Sequence, residues 1–211
     1  MMRTAALFSF ALLAAIYTTV AIGDELDRPG IGYWCYNPIR IPSKADRLAF
    51  VDDVSSAAIE AERKWGVPAP ALAAMTIVES GFGTTRIAIK SNNILAFKWP
   101  GDKIAAGHGK FVLWCQPKED AGNVYPAFKS RREAIDFVAS RLSLSKHYRA
   151  ATLAYGTDLK SGLSRKTAGQ NWRVAIAPLY NWKPEEYIRY VGRMADDPIG
   201  DGSRSLWSLE P

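Results

Sequence analysis

Hydrophobic positions recur at helical spacing along most of the chain. From Leu48, the series Val51, Val54, Ala58, Ala61 and Trp65 advances by threes and fours, which predicts an amphipathic helix of roughly twenty residues. Ser43-Lys44-Ala45-Asp46 offers it an N-cap with a carboxylate three positions on, and Gly66 is a natural stop. Pro68 and Pro70 mark the entry to a second helix, Ala71 to about Glu79, apolar on nearly every side through Leu72, Ala73, Ala74, Met75, Ile77 and Val78. A helix with no polar face is normally buried. Ser80-Gly81-Phe82-Gly83 breaks it, a short helical turn follows near Thr85–Ile89, and Ser91-Asn92-Asn93 is another turn. Within the Gly- and Lys-rich stretch 100–123, Lys110–Cys115 is a strand that can pair with Val124–Phe128 as a small β-hairpin. Helix resumes at the capping box Ser130-Arg131-Arg132-Glu133, with Ala134, Ile135, Val138 and Leu142 as its apolar stripe. Further helices are predicted near Lys146–Tyr155, Thr167–Leu179 and Pro184–Ala195, the last opening on a proline with Glu185 and Glu186 in its first turn. The tail from Pro198 is expected to be loose. The class is therefore mainly α, one helical domain over 43–197 carrying a small β-hairpin, with no internal repeat.

The two ends qualify this picture. Met1-Met2-Arg3 is a short basic start, Thr4–Ala21 is almost wholly apolar, and Ala21-Ile22-Gly23 is a small-x-small pattern before Asp24. This reads as a secretory signal peptide over 1–23; a single membrane anchor is the alternative, since the apolar run reaches the short edge of spanning length. No later segment is long and apolar enough to span a bilayer. An irregular Pro/Gly-punctuated segment, 24–42, precedes the domain. Export also bears on Cys35 and Cys115, whose separation fits neither zinc-ligand nor C-x-x-C redox spacing. A disulfide between them is expected, worth about 4 kcal/mol in the chain-entropy model; two unpaired buried thiols are the alternative.

Composition narrows the function classes. With 48% hydrophobic and 23% charged residues the chain has enough apolar material for a core, which excludes a disordered, collagenous or coiled-coil protein. The net charge of +6 falls by one with loss of Arg3 and suits an anionic extracellular polymer. Lys and Arg are scattered, and no nucleic-acid partner is expected. His108 and His147, the two histidines, lie in no metal-binding or zincin pattern, and neither a G-x-S-x-G nor a P-loop string occurs. No metal and no organic cofactor is expected.

Glu79 is the one carboxylate where folding does not call for one. Leu72, Met75, Thr76 and Glu79 fall along one helical stripe, so an apolar element ends by presenting a carboxyl group. Desolvation and the negative end of the helix dipole both disfavour its charged form, so its proton is held to higher pH than on a free glutamate. A carboxylic acid protonated near neutrality is what a glycosidase needs to protonate its leaving-group oxygen. A glutamate that merely swings out into solvent at the helix end is the alternative.

The flanking string Ala71–Thr85, A-L-A-A-M-T-I-V-E-S-G-F-G-T-T, followed by Asn92-Asn93-Ile94-Leu95-Ala96-Phe97-Lys98-Trp99, resembles the glucosaminidase family of peptidoglycan hydrolases. That family carries an A-x-x-x-x-E-S-G-x-G-x-S/T block and then N-N-L-F-G-I-K. The likeness runs on through the hairpin, Phe128-Lys129-Ser130 and, more weakly, Tyr180 and Tyr187. It implies a lysozyme-like helical fold with a cleft, acting on peptidoglycan glycan strands at the bond between N-acetylglucosamine and N-acetylmuramic acid, with Glu79 matching the general acid. Two departures stand out. Ala96 replaces a family glycine, which suggests a local backbone change, and Tyr125-Pro126-Ala127-Phe128 replaces an F-R-x-Y block.

In the family a carboxylate on the hairpin assists, and the turn Gln116–Gly122 supplies Glu119 and Asp120, of which Glu119 is favoured. Phe97, Trp99, Tyr125 and Tyr180 are candidates to stack on sugar rings or hydrogen-bond them, though each taken singly is more often core than ligand contact; Tyr180 is the best of them. Asn92 and Asn93 are read as turn-closing residues. Two rivals remain: a lytic transglycosylase, which shares an E-S-G-F-like acid block but whose G-L-M-Q-type continuation is absent, and a wall-binding module without activity. An exported location, periplasmic or extracellular, goes with any of the three.

Overall fold

The computed structural model describes residues 37–114, 120 and 122–211. The expected signal segment, Cys35, Cys115 and Glu119 lie outside the described residues.

Helix α1 (Lys44–Trp65) opens on the predicted reciprocal cap: the Ser43 hydroxyl accepts the Asp46 N–H, and the Asp46 carboxylate accepts the Ser43 N–H. It stops at Gly66, left-handed with φ 71°, whose N–H bonds the Glu62 carbonyl. Helix α2 (Ala69–Ser80) starts two residues earlier than the periodicity indicates, because Pro68 is its N-cap and Pro70 sits in the first turn, where a backbone N–H has no helical partner to lose. Every residue from Ala69 to Ile77 is buried, as expected of a helix apolar all round. Helix α1 packs on one side of it, and the later helices and the C-terminal segment close the others. Its alanines permit this close approach.

Past a tight turn come α3 (Arg86–Ser91), capped by Thr85, and a two-stranded antiparallel sheet, β1 (Gly109–Val112) with β2 (Val124–Ala127). The register sets Phe111 opposite Tyr125 and Lys110 opposite Pro126. The strands are shorter than the sequence predicts, since Phe128 leaves the ladder to donate its N–H to the Ser91 carbonyl at 2.8 Å. Helices α4 (Arg131–Leu144), α5 (Arg149–Lys160), α6 (Arg165–Tyr180) and α7 (Pro184–Asp196) complete a mainly helical domain. The α4 cap differs in detail: Ser130 accepts the Glu133 N–H, but the Glu133 carboxylate reaches back to the Lys129 N–H. Helix α5 lies further along than the predicted Lys146–Tyr155, because Gly156 stays helical and the left-handed glycine that ends it is Gly162, φ 89°.

One carboxylate joins four elements. Glu62 on α1 accepts the Ala69 N–H at 2.9 Å, the Tyr155 hydroxyl at 2.7 Å and the Arg165 guanidinium at 2.7 Å. A buried carboxylate with three donors is satisfied, and the pairing anchors α5 and α6 to the start of α2.

The segment from Pro198 is packed, contrary to the expectation of a loose tail. Ile199 and Leu206 are buried, and a 3₁₀ turn, Leu206–Ser208, rests on α2 and α7. The Trp207 ring packs against Gly169, where a Cβ would come within 2.7 Å of it, and its Nε1–H donates to Asp196 at 2.9 Å. Single anchors separated by turns leave no periodic signal, so the sequence pattern cannot reveal them.

Candidate active site

Helix α2 delivers Glu79 into a cleft of about 1040 Å³. The loop after α3, the hairpin side, the α4–α5 and α6–α7 junctions, and Asn37–Pro38 supply the other walls. Gly81, Phe82 and Gly83 all have positive φ, a left-handed turn that ends α2 just past Glu79. For Phe82 at φ 59° this is strained backbone, and the ring is held by an edge contact with Phe50, centroids 6.0 Å apart. The strand-like segment at Pro38 lies against this turn: the Ile39 N–H donates to the Thr84 carbonyl at 2.9 Å, and Pro38 bridges Thr85.

The Glu79 Oε1 atom is sealed from solvent with no hydrogen-bond partner. Burial pushes the Glu79 carboxyl up from 4.5 to about 7, and the negative charge of Asp120 adds to the rise. The Tyr187 hydroxyl, the Asn181 side chain and the Lys98 ammonium pull the other way and are outweighed. Tyr187 and Tyr180 stack at 5.9 Å and 17° beside this carboxyl. Burial, then the charge of Glu79, raises both phenols well above their ordinary value, so they remain O–H donors.

The structure brings Glu79, Asp120, Phe97, Trp99, Tyr125 and Tyr180 to one cleft. Asp120 accepts from Lys98 Nζ at 2.8 Å, and the same ammonium reaches the Gly122 carbonyl at 2.6 Å, tying the hairpin turn to the loop after α3. The aromatic residues divide by role. Tyr180 donates its hydroxyl to the Leu95 carbonyl at 2.6 Å and so holds that loop against α6. Tyr125 is buried with Ile87 and Leu113 in a small satellite core, its ring 5.2 Å from Lys98 Nζ. Phe97 packs edge-on against Phe137. Trp99 is half-buried: Lys110 Nζ lies 4.6 Å from its ring, and its Nε1–H donates to Asp102 at 3.2 Å.

Both asparagines close turns, as read. Asn92 ends α3 at φ 53° and donates to the Phe128 carbonyl at 3.0 Å; Asn93 is buried, with its amide shared between Phe97 and Pro126. Ala96, where the family carries glycine, has a φ of +46°, the left-handed region that favours glycine, so the alanine bears a steric cost.

Tyr187, Asn181 and Lys98 are the neighbours of Glu79 that sequence reasoning missed as site residues. Tyr187 continues the inward stripe of Val191 and Ala195 on α7, which reads as core alone. Among the described residues no three His, Cys, Asp or Glu side chains cluster as a metal-binding set, and no described helix is long and apolar enough to cross a membrane.

The fold has solved counterparts. The catalytic domain of the autolysin Auto from Listeria monocytogenes is similar at a TM-score of 0.51 and 12% identity, over 75% of this chain and 88% of that one. An N-acetylmuramoyl-L-alanine amidase from Staphylococcus aureus is similar at a TM-score of 0.52 and 15% identity, over 81% of this chain. The match spans 49% of the amidase chain. At these identities the likeness is one of fold. No curated protein matches the chain. The Glucosaminidase family model, described as mannosyl-glycoprotein endo-beta-N-acetylglucosaminidase, matches residues 55–190, a span that takes in α2 with Glu79, the hairpin and most of α7. A match over well more than half of the sequence, with that helix inside it, makes the chain a member of the glucosaminidase family.

Proposed function

We propose that the protein is an exported peptidoglycan hydrolase that cleaves the glycosidic bond between N-acetylglucosamine and N-acetylmuramic acid, with Glu79 as general acid. The observation that carries this reading is the Glu79 carboxyl, desolvated in the cleft and holding its proton to about 7. An acid with that affinity is protonated in a large fraction of molecules near neutrality and can transfer its proton to the departing glycosidic oxygen. Tyr187 and Asn181 offer hydrogen-bonding groups to the carboxylate left behind. The second group is a hairpin carboxylate. Asp120 lines the cleft and acts electrostatically on Glu79, which suits it to orient a water or to support attack by the substrate's own 2-acetamido oxygen. Glu119, one position before it, remains the other candidate. The reading needs no metal or organic cofactor.

Mass spectrometry of the soluble products from purified peptidoglycan, with reductive labelling of the new sugar ends, tests it. Reducing N-acetylglucosamine ends that disappear with Glu79→Gln are expected. Reducing muramic ends would move the cut to the other linkage, and anhydromuramic ends would make the enzyme a transglycosylase. No products from wild type, together with firm binding to the wall, would make it a binding module.

A further inference from the structure

Charge is distributed unevenly along the cleft. The described carboxylates that line it, Glu79 and Asp120, sit at the end of α2 and in the hairpin turn, where Lys98 is already engaged by Asp120. At the α4–α5 and α6–α7 junctions the lining changes to Arg141, His147 and Lys183, with no described carboxylate among them. Arg141 lies 5.9 Å from the Phe137 ring, and Lys183 Nζ lies 4.6 Å from the ring of Trp182. Neither cation forms an ion pair with a described acidic side chain.

Trp182 is the second unusual feature. Its indole is 58% exposed although it lines a concave site, and neighbouring Leu179 is 50% exposed. A ring so little buried adds little to the fold, and a cation–π contact at an exposed position is weak, so the ammonium can leave the ring for a better partner. A flat apolar face with Lys183 against it, in a cleft also lined by Arg141, whose Nε–H donates to the Ser140 hydroxyl at 3.3 Å, suits a pyranose ring that carries a carboxylate: the indole covers the sugar's C–H face and the cations take the anion.

We propose that this end of the cleft is a subsite for a carboxylate-bearing sugar of the glycan strand, with Trp182 as the stacking platform and Lys183 and Arg141 as the carboxylate partners. The inference rests on the peptidoglycan-hydrolase reading, because muramic acid carries such a group, either as its free lactyl carboxylate or through the carboxylates of its stem peptide. The enzyme then selects anionic strands over a neutral polymer of N-acetylglucosamine by charge as well as by shape.

Binding to the full chain carrying Glu79→Gln, measured by calorimetry at low and high salt, tests this independently of cleavage. The three ligands are a neutral chito-oligosaccharide, peptidoglycan oligosaccharides stripped of peptide with the lactyl carboxylate free, and the same oligosaccharides with stem peptides. The anionic ligands are expected to bind about three- to tenfold more tightly than the neutral one at low salt, the scale of one or two solvent-screened ion pairs. Lys183→Gln combined with Arg141→Gln should collapse that ratio toward one, Lys183→Arg should retain it, and Trp182→Ala should weaken all three ligands by a similar factor. Tighter binding of the peptide-bearing strand assigns the stem peptide as the anion source, and equal binding of the two anionic strands assigns the lactyl group. Equal affinity for neutral and anionic ligands, a preference that survives the double substitution, or no binding at all overturns the proposal. The hydrolase reading fails on a different result, in which wild-type protein releases no fragments while the Glu79→Gln chain still binds.

Discussion

Replacing Glu79 by glutamine should make the protein more stable at alkaline pH and leave that advantage absent in acid. In the unfolded chain this carboxyl titrates near 4.5, whereas in the cleft it holds its proton to about 7. Between those values the native state binds a proton that the unfolded chain has released, so wild-type stability falls as pH rises. Below 4.5 both states are protonated and the group costs nothing; above 7 the native protein carries a desolvated charge. At about 1.4 kcal/mol for each pH unit the gap amounts to about 3 kcal/mol, lost progressively from pH 4.5 to 7. Glutamine keeps the shape and does not titrate. Its amide brings donors to a place where Oε1 has no partner, but that contribution is the same at every pH. Urea unfolding of wild type and Glu79→Gln at a series of pH values from 4 to 8 isolates the effect, because other titrating groups contribute equally to both proteins. The stability difference should grow by about 3 kcal/mol in favour of the variant across that range. A difference that stays flat would refute the desolvation argument and, with it, the basis for treating Glu79 as the acid.

The remaining predictions address the surroundings of that carboxyl. Asp120→Asn removes a charge that raises the Glu79 value and leaves Lys98 without its 2.8 Å partner, so both changes favour the carboxylate. The alkaline limb of kcat/KM should move to lower pH, and a shift to higher pH would contradict the electrostatic account. Ala96→Gly relieves an alanine at φ +46° and should raise stability by about 0.5–1 kcal/mol in denaturant unfolding, with the product pattern unchanged. Gly81→Ala places a Cβ 2.5 Å from Pro38 Cγ at φ +55° and should cost about 2 kcal/mol by thermal melting. It should also open the cleft wall at residues 37–40 to proteolysis, and an unchanged melting curve would show that this segment does not bear on the turn.

Local rules made much of the fold legible before any contact was known. The Ser43 cap, the Gly66 stop and the apolar stripes each express a relation among residues a few positions apart, and such relations are written directly in the chain. Glu79 could be singled out in the same way, since a carboxyl at the end of an all-apolar helix is anomalous whatever packs around it. Where two local signals competed, the chain alone did not decide. Gly156 and Gly162 both favour a helix end, and in the fold, where α5 packs against α6, the helix runs through the first and stops just before the second. The loose reading of the tail failed for a related reason. The Trp207 ring can come this close only because Gly169, nearly forty residues earlier, has no side chain there.

The sequence by itself determined the helical class, the main helix positions and the identity of the anomalous carboxyl, because each depends on spacing along one segment. The tertiary structure decided what that carboxyl can do. Its proton affinity depends on burial and on Asp120, Tyr187, Asn181 and Lys98, which arrive from the hairpin, α7, the α6–α7 junction and the loop after α3. Desolvation and electrostatic interaction act through space, so no order of residues along the chain expresses them until folding brings those segments to one cleft.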